Sequence, residues 1–202
     1  MLDLAIAETE VPAQQSWPLY PRDRRTVSHH EAGHLCLSLA FALTTDRQTA
    51  AVTSEGTAGS VRRLDEDGNP RGTPGAVLEL TGDPDDIVSE SFQRQCLGWA
   101  SMYLGGHGAE VLLHAQHRRI TGWPQPLATL AGMSAPDLHN AAAFLSLAWP
   151  RHYSGPLRLA WLHAVDSLQA HWAWVERVAH EIDQTGSCTD HRARELREAR
   201  LQ

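Results

Sequence analysis

The segment "SHHEAGHLCLSLAF", residues 28–41, contains the side chains best suited to chemistry. His30, Glu31 and His34 form an H-E-x-x-H. On a helix, positions four apart lie one turn apart on the same face, so both imidazoles can reach one cation. Zinc accepts neutral imidazole nitrogens, and a catalytic zinc site keeps one position open for water. The ion lowers the pKa of such a water to about 7. Glu31, beside the first ligand, is then placed to accept the proton as water attacks a peptide carbonyl and to return it to the leaving amine. His29 points away from the His30 and His34 face and reads as an ordinary surface histidine.

The pattern interrupts an otherwise apolar helix, where solvated histidines are poorly placed. Gly33 costs about 1 kcal/mol relative to alanine in a helix interior. Together with Ala32 it removes bulk beside the ligands and lets another segment approach closely. Two histidines are too few for a zinc hydrolase, so a third protein ligand is required. The candidates are Glu110, His107 and Asp137, and spacing alone does not choose among them.

The elements that must position these groups are mainly helical. A proline-bearing arm covers residues 1–22, and a first helix is predicted from Asp23 to Leu43. Two short strands, 49–54 and 59–64, follow with a turn at Glu55-Gly56. A loop and a possible strand "AVLEL" come next. Helices are then predicted over 85–104 and, after a break at Gly105-Gly106, through His114. A loop over 115–133 precedes a helix starting near Pro136 and stopped by Pro150. One long amphipathic helix ends at Gly186, and Trp161, Trp172 and Trp174 on it suggest packing. A polar helix "TDHRARELREARL" closes the chain. The expectation is one mostly α (α+β) domain over 23–202 with a small β-hairpin after the HExxH helix.

Bulk properties limit the function classes. The 202 residues can bury a real core, and 42% hydrophobic with 20% charged residues is ordinary for a globular protein. All 17 basic residues are arginine, and the net charge of -7 argues against a general nucleic-acid binder. Cys36, Cys96 and Cys188 lie far apart without a C-x-x-C, which suits a reducing cytosol better than a disulfide framework. The acidic N-terminus does not read as a signal peptide, and no apolar run approaches a membrane span. A cytoplasmic protein without membrane or nucleic-acid partners is expected.

The order "HHEAGH", "VTSEGTAGSV", "YLGGHGAEVLL" and "SAPDLHNAAAFL", with "AVDSLQAHWAWVERVAHEI" near the end, resembles the peptidase domain of FtsH-type ATP-dependent zinc proteases. The resemblance spans roughly residues 24–185. It implies a helical zincin-like fold, a Zn2+ cofactor and hydrolysis of polypeptides. It also implies a metal set of His30, His34 and Asp137, with Glu31 as catalytic base. Asp137 stands at the family's third-ligand aspartate; Ser134-x-x-Asp137 is also a capping pattern, but the ligand reading is preferred because the two hydrophobic helices could converge there. Glu110 matches the glutamate of the LGG-x-x-AE helix and is expected to orient a ligand histidine. The strands over 49–64 are expected either to accept an extended substrate by β-addition or simply to cover the active-site helix.

The chain departs from that family in one large respect. It contains no G-x-x-x-x-G-K-[ST], since it contains no lysine. Proteolysis is therefore expected on unfolded or flexible polypeptides, without ATP or with a separate ATPase unfoldase as partner. "WPRHYSGPL" also differs from the family's glycine- and methionine-bearing stretch. The competing expectation is a zinc-binding adaptor of the same fold that has lost turnover. Glu31 weighs against it, because a purely structural site has no use for a base. Oligomeric state is not legible from these residues.

Overall fold

The computed structural model describes residues 22–44, 47–64, 70–71, 89–116, 135–152 and 154–199. The N-terminal arm before Arg22, the expected "AVLEL" strand, nearly all of the expected 115–133 loop and the last three residues lie outside these.

The HExxH helix, α1, spans Arg24–Ala40. It starts where the Asp23 side chain caps the first turn, accepting from the Thr26 N–H at 2.8 Å. It stops three residues earlier than predicted. Ala42 adopts φ +50°, and the N–H groups of Ala42 and Leu43 bond back to the Leu39 and Ser38 carbonyls. That is a Schellman ending with alanine where glycine is the usual residue.

Every residue from Thr26 to Ser38 is buried, which explains why α1 lacks the one-sided pattern of a surface helix. Helix α2 (Glu90–Gln116) and, further on, α5 (Trp172–Thr185) pack against it. Strands β1 (Arg47–Val52) and β2 (Gly59–Leu64) cover another side. They form an antiparallel hairpin with Arg47 opposite Leu64 and Val52 opposite Gly59. The sheet has four strands in the order β3-β2-β1-β4, with β3 at Pro70–Arg71 and β4 at Ser187–Thr189. The three-residue β4, too short to leave a pattern, was not anticipated. It follows Gly186, whose φ of +88° ends α5 where predicted.

Two helix predictions need correction. Gly105-Gly106 do not break a helix, because α2 runs straight through them. Their helix penalty is offset by packing. A Cβ on Gly33 would overlap the Gly105 carbonyl and stand 2.9 Å from Ala109 Cβ, and one on Gly105 would stand 2.6 Å from Leu37 Cδ1. The α1 and α2 backbones therefore touch at Gly33 and Gly105. The expected single C-terminal helix is instead α4 (Ser154–Ala170) and α5, separated at His171. Neither glycine nor proline marks the junction. The chain turns because α4 packs against α2, burying Ala160, Trp161, Ala164, Val165 and Leu168. Helix α5 instead packs against α1, burying Trp174, Val175, Val178, Ala179 and Ile182.

Helix α3 (Ala135–Ala148) packs on α2, and α6 (Asp190–Glu198) closes the fold. Trp174 Nε1 donates to the Ala193 carbonyl at 2.7 Å, tying α6 to α5. Trp161 and Trp174 are core residues, as their helix suggested, while Trp172 is half-buried and stacks on His29. His29 is accordingly not a surface residue. It is buried, with its Nδ1 donating to the Arg25 carbonyl at 2.8 Å. The architecture is mostly helical with a small antiparallel sheet. No helix among the described residues is long and apolar enough to cross a membrane.

Two alanine–glycine exchanges should shift stability in opposite directions. Gly33→Ala forces α1 and α2 apart and should destabilise by roughly 1–3 kcal/mol, despite alanine's better helix propensity. Ala42→Gly relieves a left-handed alanine and should stabilise by up to about 1 kcal/mol. Denaturant unfolding of the two variants checks both signs.

Candidate metal centre

The crossing of α1 and α2 determines how the two motif histidines are held. His34 Nδ1 donates to the Met102 carbonyl of α2 at 2.8 Å. His30 Nδ1 donates to Glu110 Oε1, also on α2, at 2.8 Å. A neutral imidazole carries a single N–H, so in their neutral forms both rings would present bare Nε2 lone pairs on their other side. Those nitrogens face each other at 3.0 Å. Asp137, from the first turn of α3, brings Oδ2 to 3.2 Å from His30 Nε2 and Oδ1 to 3.7 Å from His34 Nε2.

With both rings neutral, three acceptors would converge on one point without a donor, which is unfavourable unless positive charge, a proton or a metal cation, lies between them. Ligands about 2.0–2.1 Å from a tetrahedral ion stand roughly 3.3 Å from one another, close to this spacing. Space for a cation is provided by Gly106. A Cβ there would overlap His34 Nε2 and lie 2.6 Å from His30 Nε2. The donor set and the glycine cradle both fit a small divalent ion.

The titration behaviour expresses the same demand. Burial opposes a charged His30, but Asp137 and Glu110 outweigh it and hold its pKa up at about 10. Burial likewise opposes charge on Asp137 and Glu110, yet the histidines keep both carboxyls well below their ordinary range. Glu31 behaves differently. Burial pushes its pKa up, and His34 and His30 only partly offset that. It is 4% exposed and lies against β2, where a Cβ on Gly59 would come within 2.6 Å of Glu31 Oε1.

Of the three candidate third ligands, the fold brings Asp137 to the Nε2 atoms. Glu110 sits behind His30, on the Nδ1 side, where it also meets His107 Nδ1 at 3.4 Å and Arg22 Nη2 at 3.3 Å. That is the orienting position expected of it. His107 is 2% exposed with its ring beside Trp161, outside the cluster. Ser134, the capping partner suggested for Asp137, lies outside the described residues.

Sequence reasoning missed three contributors: the Met102 carbonyl, Arg22 and Gly106. A backbone acceptor leaves no trace in residue types. The Gly105-Gly106-His107-Gly108 run was the available signal for Gly106, but it read as a break. A cleft of about 370 Å³ opens on the cluster, lined among others by His30, Glu31, His34, Asp137 and the β2 residues Gly59 and Val61. No protein-family model matches this chain, and no curated protein matches it.

Removing Glu110's acceptor charge should weaken metal binding without removing a ligand. With zinc as the probe ion, Glu110→Gln is expected to bind about 10–100-fold more weakly than the unmodified protein. Gly106→Ala should abolish stoichiometric binding, because the methyl occupies the cation's place. Competition with a chromogenic chelator, with circular dichroism as the folding control, measures both.

Proposed function

We propose that this protein is a zinc-dependent metalloendopeptidase that hydrolyses unfolded or flexible polypeptides. The observation that carries the reading is the position of Glu31. It is a buried carboxylate with a raised pKa, in the same cleft as a His30–His34–Asp137 group whose ligand atoms lie within 4.8 Å of one another. Zinc suits the two-imidazole, one-carboxylate set and, once bound, would acidify a water and polarise the scissile carbonyl. The ordered resemblance to FtsH-type peptidase domains supports the same choice and the same zincin-like fold.

Within that reading, Glu31 takes the proton of the attacking water as the new C–O bond forms. It returns the proton to the amine nitrogen as the C–N bond breaks. Burial that raises its pKa makes this carboxyl a stronger proton acceptor than a free glutamate. Asp137 and the Glu110-anchored His30 hold the cation, and neither is required to move a proton.

The polypeptide is held by β2. Strand β3 pairs only with Arg63 and Leu64, so Gly59–Arg62 have no strand partner on that edge among the described residues. An extended chain can add there through backbone hydrogen bonds that are indifferent to sequence. Gly59, beside Glu31, lets the incoming backbone come close to the base. These 202 residues contain no nucleotide-binding loop, and folded substrates would need an ATP-driven unfoldase to open them. Three buried free cysteines suit a reducing, cytoplasmic setting.

Glu31→Gln should retain about one zinc per chain and lose casein cleavage by a factor of at least ~100. A quenched-fluorescence casein assay paired with metal analysis reads both. Wild-type turnover in that variant would exclude the mechanism. A wild-type protein that holds zinc but cleaves no unfolded polypeptide would favour the adaptor reading.

A further inference from the structure

The same cleft continues past the metal cluster to a second polar group on the sheet. Its wall there includes Ser38 of α1, Gln48 of β1, Arg63 of β2 and Trp99 of α2. Gln48 is 2% exposed, and its Nε2 has no hydrogen-bond partner among the described residues. A buried amide donor without an acceptor is costly, and folded proteins retain few of them.

Arg63 stands directly opposite Gln48 in the β1–β2 register, so both side chains leave the same face of the sheet. Its guanidinium lies 5.5 Å from the Trp99 ring centroid, and its Nη2 donates to Thr44 Oγ1 at 3.3 Å. The charge is therefore held in position over an aromatic face. An amide N–H group and a guanidinium together present donors and positive charge, and the complementary ligand is a carboxylate.

We propose that Gln48 and Arg63 form a subsite for an acidic side chain of the bound polypeptide, placed a short fixed distance from the cleaved bond. The proposal rests on reading the cleft as a polypeptide site. Seven residues of α1 separate Glu31 from Ser38, about 10 Å. Four residues of β2 separate Gly59 from Arg63, about 13 Å. An extended substrate rises roughly 3.3 Å per residue, and a glutamate side chain reaches back part of that span, so the selected position lies two to four residues from the scissile bond. Sequence-indifferent strand addition would thus be supplemented by one side-chain requirement. The partner chemistry is an unfolded segment carrying Asp or Glu.

The test uses zinc-loaded full-length protein and decapeptides that differ only in Glu, Gln or Leu at one position, scanned along both sides of the bond. Binding is measured by fluorescence anisotropy to the Glu31→Gln protein, and kcat/KM is measured with the wild type. At one position Glu should bind roughly tenfold tighter than Leu, with Gln between them. Gln48→Glu, which is isosteric but exchanges the amide donors for an acceptor, should bring that ratio to about one. Gln48→Leu serves the same purpose if the first variant unfolds.

Equal binding of Glu and Leu peptides at every position would overturn the subsite, as would a preference that survives both Gln48 variants. Selection for Glu in binding with no cleavage by the wild type would retain the subsite and remove the peptidase reading. Cleavage without discrimination would do the reverse. A failure of every peptide to bind would remove both.

Discussion

The contact on which the site depends is the approach of two helix backbones at Gly33 and Gly105. Side chains at these positions would push α1 and α2 apart. At this separation the Met102 carbonyl and the Glu110 carboxylate reach the Nδ1 atoms of His34 and His30. Those two hydrogen bonds choose the tautomer of each ring and turn both Nε2 lone pairs toward the same point. A wider crossing would leave the rings free to rotate and their protons free to settle on either nitrogen.

The electrostatics follow from that crossing. Two lone pairs and a carboxylate share a buried space that Gly106 leaves open, so the cluster favours a cation over any neutral arrangement. Glu110 stabilises positive charge from behind His30 and takes no place among the Nε2-facing ligands. Glu31 experiences the same burial without a comparable hydrogen-bonded partner, and its pKa moves in the opposite direction. Carboxyls in one buried neighbourhood are thereby separated into two held below the ordinary range and one pushed above it.

The sheet contributes a surface that the helices alone could not. β2 brings its backbone to Glu31 at Gly59 and carries Val61 and Arg63 along the same cleft. Among the described residues β3 pairs with only Arg63 and Leu64, so the portion of β2 nearest Glu31 has no strand partner on that edge. On the proposed reading, a cation held by this cluster and Glu31 as base beside a strand edge would suit a chain-like substrate better than a compact one. The cross-strand Gln48–Arg63 pair lines the same cleft further from Glu31.

Much of this architecture was legible in the chain itself. The helix start at Asp23, the hairpin over β1 and β2, the helix start near Pro136 and the stop at Gly186 all express local chemistry, and local chemistry is written in residue types. The two histidines on one helical face followed from a four-residue spacing. Other features depended on contacts between distant segments. The glycines of α2 read as a break, because their propensity penalty is visible locally whereas the compensating helix–helix contact is not. The turn at His171 has no local marker, since it arises where the chain passes from packing on α2 to packing on α1. Residue spacing left Asp137, Glu110 and His107 open as third ligand, and only the family resemblance singled out Asp137. All three have suitable ligand chemistry, but only the packed helices decide which oxygen or nitrogen arrives on the Nε2 side of His30. Residue types determined which groups could bind a cation and move a proton. The folded backbone decided which of them meet, because a ligand atom must be placed to within about 0.5 Å and only close packing imposes that.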